Sequence, residues 1–278
     1  MRKVFLGIAF FVLCSNVVWA QNPKWKALEV EADTLLNNQD FQGALKLYTK
    51  IINGSKPKNQ PVETLYKRAI CYYSLGDFEN ALKDLNIFIP AFPGSSQAHL
   101  LRAFVYREVG DTEHQLIDLE EVIKSRSGDP GLLKWRATLY IDKGEYKLSK
   151  RDILEVLKFQ PDAEAQTYLG LAYYNLNYPD SALMSLNKAI ELDVNYLPAY
   201  FYAGSFCLQE GEYDLALKYI NLVLRLDPKN PTALFYKGIA LVEKKNFDVG
   251  CSCLNKAFYL GLDDAGDYLK EYCYEVED

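Results

Sequence analysis

The chain has 278 residues, 49% of them hydrophobic and 24% charged, with 37 acidic residues against 31 basic ones. That balance describes a solvated, mildly acidic surface. It argues against nucleic acid or anionic lipid as the main partner, because both need a concentrated basic patch.

The first twenty residues stand apart. Arg2 and Lys3 give a basic start, Val4 to Leu13 is apolar except for one glycine, and Val18-Trp19-Ala20 offers small residues on either side of a tryptophan. Basic, then apolar, then small is the order of a secretory signal, with cleavage expected after Ala20. The apolar run is shorter than the roughly 20 residues a spanning helix needs. Ser15 and Asn16 also interrupt its extension. A lipid-modified Cys14 is disfavoured, because Leu13 stands where bacterial lipoproteins resemble one another in carrying a small residue. Removing two basic residues with the signal leaves 29 against 37, a net charge of −8. No Gly/Ser-rich or Pro-rich linker divides the remainder. One continuous body of about 258 residues is expected, large for a single core and ordinary for a stack of repeats.

Small residues recur at a fixed step. Ala69, Ala103, Ala137, Gly170, Gly204 and Gly238 are separated by 34, 34, 33, 34 and 34 residues. Ala32 begins the series 37 residues before Ala69, the extra length falling in the Gly-, Lys- and Pro-rich stretch from Asn53 to Pro61. A second series follows twelve residues behind: Ala44, Ala81, Gln115, Ser149, Ala182, Ala216 and Gly250. Tyr72, Tyr106, Tyr140 and Tyr173 stand three residues after the first series. Leu85, Leu119, Ile153, Leu186, Ile220 and Leu254 stand four after the second. Pro93, Pro161 and Pro228 close several units.

Within a unit the apolar residues follow helical spacing, as in Leu65, Ala69, Tyr72 and Tyr73. Gly76-Asp77, Gly110-Asp111, Gly144-Glu145 and Gly211-Glu212 then mark turns. Glycine accepts the left-handed backbone that ends a helix, and the following acid favours the next N-terminus. Asn177 can replace glycine there. Lys245 is a poorer substitute, so the last turn is expected to be looser or differently shaped. Small residues of the two series mark a close helix–helix approach. Gln115 breaks that rule, which implies either a splayed third hairpin or an outward-pointing Gln115.

These residues resemble the tetratricopeptide repeat (TPR), whose period is about 34 residues per helix-turn-helix. The resemblance covers approximately Trp25 to Asp264. It implies an all-α, right-handed α-solenoid of about seven hairpins over 21–264, with repeats starting near 25, 62, 96, 130, 163, 197 and 231. No single hairpin can bury its apolar face, so such a stack needs a polar lid. Residues 265–278 fit a C-terminal capping helix, with Tyr268, Leu269 and Tyr272 inward and Asp267, Lys270 and Glu271 outward.

Catalytic patterns are missing from the sequence: there is no nucleophile elbow, phosphate loop or zinc-binding helix motif. The carboxylates are expected on solvated helix faces. His99 sits in a core register and reads as a structural histidine, and neither it nor His114 has a partner at metal-ligand spacing. No enzyme activity, cofactor or metal is therefore expected. Beyond the signal lie Cys71, Cys207, Cys251, Cys253 and Cys273. Cys71 and Cys207 fall at core registers, while Cys251 and Cys253 point to different sides of one helix. A bond from Cys253 to Cys273 would pin the cap to the last hairpin.

The resemblance also implies that the first helix of each hairpin lines a concave, ligand-holding face. That register selects Tyr66, Ile70 and Tyr73, then Leu100, Phe104 and Arg107. It continues through Lys134, Thr138 and Ile141 to Thr167, Leu171 and Tyr174. Phe201, Ser205 and Leu208 follow, then Phe235, Ile239 and Val242. Two placements fit these side chains: an exposed apolar stripe, which marks a binding surface, or burial between adjacent first helices beside a stack of Trp135, Tyr168, Tyr202 and Tyr236. The clamp of chaperone-binding TPR domains does not fit, since Thr138 and Tyr168 stand where it would want asparagines. The function implied is a non-catalytic scaffold that holds a partner polypeptide in its groove, exported to a periplasm or secreted. Alternatives are a holdase-like chaperone and a regulatory subunit of a separate enzyme.

Overall fold

A computed structural model describes residues 23–55 and 61–274. The expected export signal, Cys14 and the acidic C-terminal residues lie outside the described residues. Those residues form fifteen α-helices and no strand. In chain order the helices are α1 (Pro23–Asn37), α2 (Phe41–Asn53), α3 (Val62–Ser74), α4 (Phe78–Ala91), α5 (Ser96–Val109), α6 (Thr112–Ser125), α7 (Pro130–Asp142) and α8 (Tyr146–Leu157). They continue as α9 (Ala163–Asn175), α10 (Pro179–Leu192), α11 (Leu197–Gln209), α12 (Tyr213–Leu226), α13 (Pro231–Glu243), α14 (Phe247–Tyr259) and α15 (Asp264–Tyr272). Odd–even pairs make seven antiparallel hairpins, each packed on the next within its unit, and α15 closes the series. This is the α-solenoid packing that the resemblance implies. The chain falls into two compact units, Met1–Ser127 with three hairpins and Gly128–Asp278 with four hairpins and α15.

Each hairpin turn has the same construction. Gln39, Gly76, Gly110, Gly144, Asn177, Gly211 and Lys245 all have φ between 63° and 78°. The amide of the next residue then bonds back five positions, as in Asp77 N to Tyr72 O at 2.9 Å. Asn246 N reaches Leu241 O at 2.8 Å in the same way. The last turn is therefore neither looser nor differently shaped: Lys245 is forced into the left-handed conformation by the same ladder. Asp40, Asp77 and Asp111 then cap the following helices through bonds to Gly43 N, Asn80 N and His114 N, whereas Glu145 and Glu212 make no side-chain cap.

The two small-residue series face each other inside the hairpins, and Ala44, Ala69, Ala81, Ala103, Ala137, Ala182 and Ala216 are fully buried. In α13/α14 both partners are glycine. A methyl on Gly238 would sit 2.6 Å from Leu254 Cγ and 3.1 Å from Gly250 O. Gln115 settles the third hairpin differently from either expectation. α5 and α6 pack as the other pairs do, and Gln115 points inward, buried, with Nε2 unpartnered. Ser149 Oγ in the next hairpin is likewise buried without a partner.

The expectation that every carboxylate faces water fails at Asp84, Asp118 and Asp152, all buried. Each receives an arginine from sixteen residues earlier on the partner helix. Arg68 Nε is 2.7 Å from Asp84, Arg102 Nε 2.8 Å from Asp118, and Arg136 Nε 2.6 Å from Asp152. A second nitrogen of each guanidinium bonds the other oxygen, giving bidentate pairs. The guanidinium also lies over Tyr72, Tyr106 or Tyr140. His99 is the structural histidine expected: Nδ1 is 2.7 Å from Asp118 Oδ1 and Nε2 is 3.2 Å from Pro93 O.

The disulfide joins Cys251 to Cys273, and Cys253 is free and buried. The expected Cys253–Cys273 bond is wrong by one helix face. Two residues apart on α14, Cys253 turns into the core while Cys251 turns toward α15.

Candidate functional site

In the first unit the expected groove residues pack against one another. Tyr66 stacks on Phe88 with centroids 5.2 Å apart, and Tyr73 lies 6.1 Å from Phe78 and 6.4 Å from Phe104. Arg107 lays its guanidinium 5.0 Å above the Phe104 ring and pairs with Glu108. Ile70, Leu100 and Phe104 are half-buried, and Arg107 alone of this set is exposed. The structure therefore places a half-buried aromatic strip here.

In the second unit Lys134 is held by Asp162 at 2.9 Å and Glu164 at 2.7 Å. Thr138 donates to Trp135 O, and Thr167 is buried and donates to Ala163 O. Leu171 lies half-buried against the core, and Tyr174 stacks on Phe206 at 3.8 Å while its hydroxyl donates to Gln209. Phe201 and Leu208 edge the core of α11/α12. Phe235 meets Tyr236 at 5.9 Å and Tyr268 of the cap at 5.6 Å. Ile239 packs toward the cap beside the buried Val242.

One part of this register opens into a notch. Between α11 and α13, Pro198, Phe201, Tyr202, Ser205, Thr232 and Tyr236, with Asn230, line about 390 Å³. Tyr202 is 38% exposed, and Phe201, Ser205 and Tyr236 are half-buried. Pro231 at the first turn of α13 sets φ there, and Asn230 caps that helix through Ala233 N at 3.0 Å, which fixes one wall. Nearby phenols are held neutral. Burial, then Glu164, raises Tyr168, and burial with Glu164 and Asp162 raises Tyr196. Apolar rings beside hydroxyl and amide groups suit an extended peptide, whose side chains need apolar seats and whose backbone needs polar ones. Tyr202 and Tyr236, which the register also allows in a stack between repeats, line this opening. Among the described residues no group of three or more His, Cys, Asp or Glu is placed to hold a metal ion, and no helix is long and apolar enough to cross a membrane.

Residues 63–95, 163–196 and 197–230 match profiles described as tetratricopeptide repeat. The chain carries tetratricopeptide repeats at these residues. Among solved structures it is similar to the C-terminal part of a TPR repeat-containing protein from Cytophaga hutchinsonii, at 17% identity and TM-score 0.66, covering 86% of this chain and 98% of that one. A tetratricopeptide repeat protein from Parabacteroides merdae matches at 16% identity and TM-score 0.63, over 91% of this chain and all of the other. YrrB, described as a TPR protein with an unusual peptide-binding site, matches at 23% identity and TM-score 0.51, over 67% of this chain and 97% of its own. At these identities the likeness concerns the fold. No curated protein matches the sequence.

Proposed function

We propose that the chain is a non-catalytic scaffold that binds an extended segment of a partner protein, seated in the α11/α13 notch. The observation that carries this is the notch itself, where the exposed Tyr202 and the half-buried Phe201 and Tyr236 stand beside Ser205, Asn230 and Thr232. Aromatic side chains in such settings carry most of the energy of a protein interface. The half-buried strip of Tyr66, Tyr73 and Phe104 is a secondary contact in this reading. We also propose export to a periplasm or secretion. The basic–apolar–small order of residues 1–20 supports it, and so does a disulfide, which persists in oxidising compartments.

The test is selection of peptides from a displayed random library on the full chain, followed by titration of the enriched sequence. Saturable binding that falls at least about tenfold in Phe201→Ala/Tyr236→Ala, with helix content unchanged, is expected from losing two anchors of about 1 kcal/mol or more each. Equal binding by that variant would move the site elsewhere. Non-saturating binding to unfolded chains of every composition would instead identify a holdase.

A further inference from the structure

We infer that Cys251–Cys273 is a reversible redox modification site, and that its reduction by a dithiol releases α15 from the end of the second unit. The inference does not depend on the proposed peptide site. It begins with how little else holds α15. The helix has nine residues, of which only Ala265 and Leu269 are buried. Isolated helices shorter than about 12 residues are marginal in water, so this one depends on its docking. Leu269 packs with Val242 and Leu254, Ala265 with Leu234 and Ala257, and Tyr268 meets the Phe235 ring edge-on. The cross-link closes a segment of 22 residues, and closing a loop of that size removes conformational freedom from the detached state.

The bond is also reachable. Both sulfur-bearing residues line a notch of about 570 Å³ that opens between Phe247, Tyr259 and Tyr272. Tyr259 is 84% exposed, so one wall stands in solvent. The remaining thiol of the helix cannot intercept the exchange. Cys253 is buried facing the core, and burial raises its pKa, which keeps it a thiol.

The chemistry closes with a dithiol as the reductant. Its thiolate attacks one sulfur of the pair, forming a mixed disulfide while the other sulfur leaves as a thiolate and takes a proton from water. The second thiol of the reductant then attacks the mixed disulfide. The reductant ends as a disulfide, and Cys251 and Cys273 end as two thiols, a transfer of two electrons and two protons. Without the tether α15 detaches, uncovering Phe235, Ile239, Val242 and Leu254 at the end of the stack.

Hydrogen exchange read by mass spectrometry on the full chain, before and after dithiothreitol without denaturant, tests this. Native reduction is expected to add two titratable thiols and to cut amide protection across 264–274 at least about tenfold, with α11 and α12 unchanged. Cys273→Ser should show the fast exchange without reductant, and Cys253→Ser should behave as the parent. A disulfide that resists dithiothreitol until denaturant is added would overturn the inference. Unchanged protection of α15 after complete reduction would overturn it equally.

Discussion

Lys245 and Gln39 occupy the left-handed turn position with φ of 64° and 63°, where four of the other five hairpins use glycine and one uses Asn177. A side chain with a Cβ strains this conformation by roughly 1 kcal/mol or more, because Cβ crowds the following carbonyl. Glycine removes that strain but loses more chain entropy on folding, which offsets part of the gain. Lys245→Gly and Gln39→Gly are each expected to stabilise the fold by about 0.5 to 1 kcal/mol, read as a raised midpoint in thermal or urea unfolding. A fall in midpoint for Lys245→Gly would mean that the ammonium lying 5.9 Å over Phe247 outweighs the strain. The turn register itself was legible from Gly76, Gly110, Gly144 and Gly211. The conformation at Lys245 was not, because residue propensity speaks to one position at a time while the helix pair on either side fixes the geometry. Gln115 teaches the same limit. A long polar side chain suggests solvent, yet its register between Asp111 and Asp118 turns it inward whatever its polarity.

At the scale of the hairpin, the arginine–aspartate pairs tie first helix to second in three successive repeats. The environment is low in water: the side chain of Asp118 is 1% exposed and that of Arg102 17% exposed. A pair so placed contributes little when compared with an apolar replacement of both members. Removing one member alone is costly, because the other stays buried and uncompensated. Asp118 also holds His99, so Asp118→Ala strands two donors and should destabilise by about 3 to 5 kcal/mol in urea unfolding. Asp84→Ala strands only Arg68 and should lose less. Equal losses would show that His99 adds nothing to the site. These pairs were present in the sequence as a signal that the small-residue series overshadowed. Arg68, Arg102 and Arg136 recur at a step of 34, as do Asp84, Asp118 and Asp152. A charge on an apolar helix face, repeated in register with its opposite, reads as a buried pair. The disulfide differs in kind. Spacing put two cysteines of α14 within reach of the cap, and only the rotation of that helix chose Cys251.

Across the molecule the 34-residue step from Ala103 to Ala137 crosses the Ser127/Gly128 division without a break, so the period gives no sign of two units. What the composition does show is 21 tyrosines, and folding distributes their environments unevenly. Burial raises the pKa of Tyr48, Tyr66, Tyr168, Tyr174, Tyr196, Tyr219 and Tyr268 above the ordinary value of 10.0. For Tyr48 the hydrogen bond to Asp33 at 2.6 Å adds to that rise. Burial likewise pushes the Cys71 and Cys207 thiols up to about 11. Each of these groups binds its proton more tightly in the folded state than in the unfolded one. Their contribution to stability is therefore complete below the unfolded pKa, near 10 for tyrosine, and is lost as pH rises toward the folded values. The unfolding midpoint is expected to hold from neutral pH to about 9 and to fall progressively above about 10. Phenolate absorbance from this raised set should then rise only in the pH range where the fold is lost. These rings ionise only as helical circular dichroism is lost, because burial opposes the charged phenolate. Ionisation of the raised set while the helices persist would mean that water reaches the inter-hairpin rings. It would also mean that the aromatic strip along the first helices is a far more open surface than its packing indicates.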